Sequence, residues 1–207
     1  LTKSTFDAGT QTYLPAMVGS SSLTGGDSFS LGDTLDLREP KTTVCGPQAF
    51  VALGPRVIAG DRAPVLLADG VPSIYFENPG LQASRPDIAC VGTGRVAVAY
   101  LLRGFGTTTL ELPSIGPDLS NGLNVAFPLG KADRRSDPAV AAVVDRIYVA
   151  WVTGSKLKLK RFTVGRAPGY QLTAQRTITL DEGAGLRSPV LAADGRRVVV
   201  AWQRGQD

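Results

Sequence analysis

Apolar residues along this chain come in short runs, and two patterns of run follow one another. Small or branched residues dominate the first kind, as in Val96-Ala-Val-Ala-Tyr100 and Ile147-Tyr-Val-Ala-Trp151, with almost no polar position between them. Runs of that kind suit strands covered on both faces. The second kind alternates. Leu157, Leu159 and Phe162 stand among Lys156, Lys158 and Lys160; Leu172, Ile178 and Leu180 stand among Thr173, Gln175 and Thr179. Such alternation predicts strands with one face in a core, here over Lys156–Val164 and Gln171–Leu180, and likewise over Thr107–Leu112 and Leu123–Leu129. Gly (24) and Pro (14) recur so often that the longest run free of both is Ala139–Thr153, which leaves long helices nowhere to form.

One phrase recurs four times: a Pro, a short apolar run, a turn with Gly or Asp, an Arg, then a Val-rich run. Its copies begin at Pro47, Pro86, Pro138 and Pro189, spaced 39, 52 and 51 residues apart, and the last three end at Tyr100, Trp151 and Trp202. Each copy reads as a β-hairpin: Pro47–Gly60, Pro86–Tyr100, Pro138–Trp151 and Pro189–Trp202. The turn residues Val91-Gly-Thr-Gly94, Val144-Asp145 and Ala193-Asp-Gly195 supply the reversals. Pro at the head of a first strand is tolerable because no ladder donor is needed there. Two apolar strands followed by two amphipathic ones, repeated about every 50 residues, is the pattern of a propeller blade.

The hairpins resemble the first two strands of blades in sialidase-like bacterial β-propellers, whose outer strands often flank an Asp-box turn. A degenerate box stands at Thr5-Phe-Asp7-Ala-Gly9-Thr-Gln-Thr-Tyr13, its aromatic one residue late, and the other units carry none. The resemblance covers about residues 45–207 and implies an all-β fold, a β-propeller of four-stranded blades. The chain then divides as one domain, 1–207, with units near 45–84, 85–136, 137–187 and 188–207. The last unit would be completed by strands from 1–40, with candidates Thr2–Phe6, Thr10–Val18 and Ser28–Leu37. Length allows about four blades closing within the chain, or an arc of a larger ring; a β-sandwich is the alternative fold.

Composition narrows the chemistry. The chain has no His, so Ser-His-Asp triads, Cys-His dyads and His metal sites cannot be built from it. Net charge is +4, yet the 22 basic residues are scattered and aromatics are only 7% of the chain, so nucleic acid is not an expected partner. No apolar stretch approaches the roughly 18 residues of a membrane helix. Cys45 and Cys90 lack the spacing of zinc ligands or of a redox pair. They are two buried thiols or one disulfide, and the second fits a Gly-, Thr- and Ser-rich, Lys-poor composition that looks exported. A bridge would close about 46 residues and contribute roughly 4 kcal/mol. The chain starts at Leu1 without a signal segment, as a processed mature protein or a fragment would.

Candidate sites are few. Asp118-Leu-Ser-Asn121-Gly122 resembles a calcium loop but lacks the alternating ligands and further carboxylate such a loop needs, and reads as a turn. Lys156, Lys158, Lys160 and Arg161 form a strand that could grip an anionic polymer, or simply keep a sheet edge from pairing. Arg56, Arg95, Arg146 and Arg196 recur at one hairpin position; a sialidase holds its substrate with three arginines, but the four Glu (39, 77, 111, 182) match no catalytic motif of such enzymes. Asp69, Asp145 and Asp194 read as turn residues, and Tyr100, Trp151 and Trp202 as packing between units. The expectation is a non-catalytic, exported β-propeller (secreted, periplasmic or at the cell surface) with no cofactor and no metal. It would bind protein partners as a structural subunit of a larger complex, with carbohydrate a possible ligand. A carbohydrate-active enzyme, glycosidase or lyase, and an anionic-polymer-binding module are the alternatives.

Overall fold

The computed structural model describes residues 2–7, 12–20, 28–30, 41–45, 48–58, 61–68, 71–75, 83–92, 96–102, 107–112, 125–131, 137–165 and 171–205, with side chains in 41–45, 86–92, 96–101, 109–110, 127–131, 137–165 and 171–205. Every regular element among these residues is a β-strand, and every pairing is antiparallel. Strands β1 (Thr2–Asp7), β2 (Thr12–Ser20) and β3 (Ser28–Ser30) pair in order. The other strands form four sheets of sequence neighbours.

The first sheet runs β4 (Lys41–Cys45), β5 (Gln48–Ile58), β6 (Asp61–Ala68), β7 (Val71–Tyr75). The second runs β8 (Ala83–Cys90), β9 (Val96–Leu102), β10 (Thr107–Leu112), β11 (Val125–Lys131). In the third, β12 (Ala139–Val143), β13 (Arg146–Thr153) and β14 (Lys156–Val164) are followed by β15 (Leu172–Ala174) and β16 (Ile178–Glu182), both of which pair with β14. The fourth has two strands, β17 (Leu186–Ala193) and β18 (Val198–Arg204).

Three of the four predicted hairpins form as read, and their prolines hold related places. Pro86 and Pro189 each fall at a register shift in a first strand, between Ser84 and Asp87 and between Arg187 and Val190. Pro138 stands directly before β12. A bulge is where a missing N–H costs least. The first hairpin is different. Pro47–Gly60 is no hairpin, because β5 continues through Gly54-Pro55 as one strand with a register shift between Leu53 and Arg56. The register shift absorbs the Gly-Pro pair that reads as a turn, and the chain has already reversed between β4 and β5, where Cys45 pairs with Gln48.

The sheets stack in chain order. Strand β8 lies against β4, β5 and β6; β12 lies against β8 and β9; β17 lies against β12, β13 and β14. The third sheet is therefore covered on both faces. One face sends Val140, Ile147, Val149, Trp151, Phe162 and Val164 against Ala89, Ala97, Ala99 and Leu110 of the second sheet. The other sends Ala150, Val152 and Leu157 against Leu186 and Leu191 of the fourth. Ala97, Ala99, Ile147, Val149, Ala150 and Leu157 have no solvent exposure. Small residues in the first and second strands let successive sheets approach closely.

Cys45 and Cys90 end the first strands of adjacent sheets and form a disulfide with Cα atoms 5.1 Å apart. Of the two options open in the sequence, the structure takes the bridge. Among the described residues no helix is long and apolar enough to cross a membrane.

Candidate functional site

The lysine run occupies β14, where alternation sorts the side chains. Lys156, Lys158 and Lys160 share the face that carries Phe162, and each ammonium is engaged. Lys156 Nζ lies 3.2 Å from Glu182 Oε1, Lys158 Nζ donates to Thr179 Oγ1 at 3.0 Å, and Lys160 Nζ sits 4.9 Å above the Phe127 ring and 5.6 Å from that of Phe162. The two rings meet edge to face at 5.1 Å. Nor does β14 guard an edge, since β13 flanks it on one side and β15 and β16 on the other. Arg161 points to the opposite face and is exposed.

Of the recurring arginines, two have described side chains, and each stands at its own hairpin turn. Arg146 and Arg196 are exposed beside their turns, and Arg146 Nε is 3.9 Å from Asp145 Oδ1. Arg56 lies on the far half of β5, away from the β4–β5 reversal; Arg95, Asp69 and the Asp118–Gly122 segment lie outside the described residues, as does the loop of the degenerate Asp box. Asp194 is a turn residue: its carboxylate accepts from the Arg196 and Arg197 amides at 3.2 and 2.9 Å and from the Arg197 guanidinium at 3.0 Å. The hydrogen bond from the Arg197 amide, then that from Arg196, holds its pKa below the ordinary value. Tyr100 and Trp151 are buried between sheets, as expected.

Two arrangements were not anticipated. Asp87, on β8, is mostly buried, and its Oδ2 accepts the Val140 amide of β12 at 2.8 Å. Burial raises its pKa, while that hydrogen bond and the Lys41 charge oppose the rise and Asp137 adds to it. The carboxylate thus bridges two first strands. A sequence signal existed: the residue after the recurring Pro is Ala139 or Val190 in the later units and Asp only here.

The second lies between the third and fourth sheets. Asp181 on β16 accepts from Trp202 Nε1 at 2.8 Å and from Arg204 at 3.0 Å, and Arg204 also donates to the Glu182 carbonyl at 2.8 Å. This polar clasp seats the end of β18 on β16. Farther along the same face of the third sheet, an open groove of about 300 Å³ is lined by Tyr148, Leu159, Arg161, Gln175, Arg176 and Ile178. Gln175–Thr177 separate β15 from β16, so the predicted strand Gln171–Leu180 is split there; the Gln175 amide donates to the Arg161 carbonyl at 2.8 Å. Among the described residues no three His, Cys, Asp or Glu side chains gather as a metal site requires.

No protein-family model matches the chain, and no curated protein or solved structure matches it either.

Proposed function

We propose that the chain is a non-catalytic module of an exported β-propeller, its sheets being blades of which the first two are four-stranded and the last has two strands among the described residues, and that it serves as a binding or structural part of a larger assembly. The repeat of about 50 residues, the stacking of successive first strands and the hairpin resemblance to sialidase-like propellers support the architecture. The Cys45–Cys90 bridge supports an oxidising compartment.

One observation carries the assembly reading. The fourth sheet turns Val190, Ala192, Val199 and Ala201 outward on a single face, with Val190 59% and Val199 64% exposed. Their repeat equivalents in the third sheet are Ala139, Ala141, Tyr148 and Ala150, three of them buried by the next sheet. The bare face has the composition of one made to be covered by another β-sheet.

Two measurements test the reading. A panel of fluorogenic glycosides should show no saturable turnover, and saturable turnover would make the chain an enzyme. The apolar dye bis-ANS should bind the native protein at the bare face, and Val190→Asp with Val199→Asp should remove more than half of that fluorescence. Unchanged fluorescence would refute an open apolar interface on the fourth sheet.

A further inference from the structure

Among the described strands, none beyond β17 and β18 lies over the groove on the third sheet. Over the second sheet, the equivalent outer ranks are covered. Leu110, Phe127 and Leu129 lie beneath Phe162, Val164 and Leu172, which come from the third and fourth ranks of the next sheet. Over the third sheet there are no such ranks, since β18 pairs with β17 alone among the described strands. The outer edge of β18 therefore offers unpaired backbone donors and acceptors. Just beyond the clasp that seats it, Ile178 is 48% exposed beside the half-buried Leu159, which packs against the edge of the Ala150, Val152 and Leu157 cluster.

Charge says what kind of strand would fit. Lys156, Arg146, Arg197 and Arg204 each have a carboxylate within 4 Å. Among the described residues no carboxylate faces Arg161 or Arg176, which flank the groove from β14 and from the β15–β16 break. Two unneutralised guanidinium groups around an apolar floor call for a ligand that alternates apolar side chains with carboxylates.

We infer that the free edge of β18 accepts an extended acidic segment of another polypeptide as a third strand. Its amides would pair with β18, its apolar side chains would cover Leu159 and Ile178, and a carboxylate would lie between Arg161 and Arg176. This interface is distinct from the bare face of the fourth sheet, so it can fail while that reading stands, and the reverse.

The test uses the intact chain and a fluorescein-labelled peptide Val-Glu-Val-Glu-Val-Glu, followed by anisotropy. Binding should saturate, and Arg161→Glu with Arg176→Glu should weaken it at least tenfold while the circular dichroism spectrum is unchanged. Methylating alternate backbone amides of the peptide should weaken it comparably, because the ladder to β18 would be lost. Val190→Asp with Val199→Asp should leave it intact. Absence of saturable binding, which would also follow if this chain's own residues 1–40 filled the edge, would overturn the inference. Equal binding of Val-Lys-Val-Lys-Val-Lys, or indifference to methylation, would do so too. Should polygalacturonate bind in an Arg161- and Arg176-dependent way where the peptide does not, the groove takes a saccharide and the strand proposal is refuted. Where the double variant fails to fold, Ile178→Lys, at an exposed position, provides the same tenfold comparison.

Discussion

The third and fourth sheets are built from nearly the same phrase, Pro138-Ala-Val-Ala-Ala…Val-Ala-Trp151 and Pro189-Val-Leu-Ala-Ala…Val-Ala-Trp202, yet one is sealed and the other half bare. Ala150 has no exposure, whereas its counterpart Ala201 is exposed; Trp151 is 3% exposed and Trp202 39%. Sequence sets which face of a strand is apolar, but burial is decided by whether a neighbour arrives. The same apolar face is buried where a following sheet packs on it and exposed where none does among the described residues.

The sharpest way to break that comparison is to place a charge at the matched alanines. Ala150→Asp should cost about 4 kcal/mol or more, because an unpaired carboxylate would be buried between two sheets. Ala201→Asp should change stability by less than about 0.5 kcal/mol. Urea denaturation of both variants decides it, and equal losses would mean the fourth sheet is covered in solution.

A smaller effect is expected at the link between the second and third sheets. Asp87 has a folded pKa above its ordinary 3.8, so the protonated form is the one the fold favours. Its contribution is fully present below 3.8 and is lost as pH rises through the higher folded value. Asp87→Asn keeps an oxygen for the Val140 amide and removes the titration. The variant should gain on the parent in melting temperature as pH rises from acidic to neutral. Parallel curves would show that the carboxylate is not held in a desolvated place.

The smallest effect lies in the turns. The third sheet reverses between Val143 and Arg146 with Val144 at φ 55°, a conformation disfavoured for a β-branched residue, whereas the fourth uses Gly195 at φ 86°. Val144→Asn should stabilise by about 1 kcal/mol, read from the denaturation midpoint at constant slope. No gain would mean that the exposed turn relaxes without cost.

Much of the fold is legible in the residues. Lys156–Val164 and Thr107–Leu112 form strands with the predicted bounds, because neither run holds a Gly or Pro; the first is apolar on both faces rather than one, since the pattern changes phase at Arg161-Phe162. Gly54-Pro55 misleads for a physical reason: the same pair that makes a turn also fits a bulge, and only the partner strands decide between them. The candidate site was less visible. Arg161 follows three lysines in sequence, but period two puts it on the other face, where its neighbours come from β13 and the β15–β16 break. Those neighbours are brought together by sheet pairing, which no local pattern encodes.

The bridge between Cys45 and Cys90 ties the β4–β7 sheet to the β8–β11 sheet and touches neither the third nor the fourth. A reducing milieu would thus act unevenly. The β4–β7 sheet would lose its covalent tether, while the interface between Ala99, Val149 and Phe162 would remain as before. The bridge and the Asp181 clasp to Trp202 and Arg204 lie in different pairs of sheets, so thiol chemistry can be altered without touching the contact that seats β18.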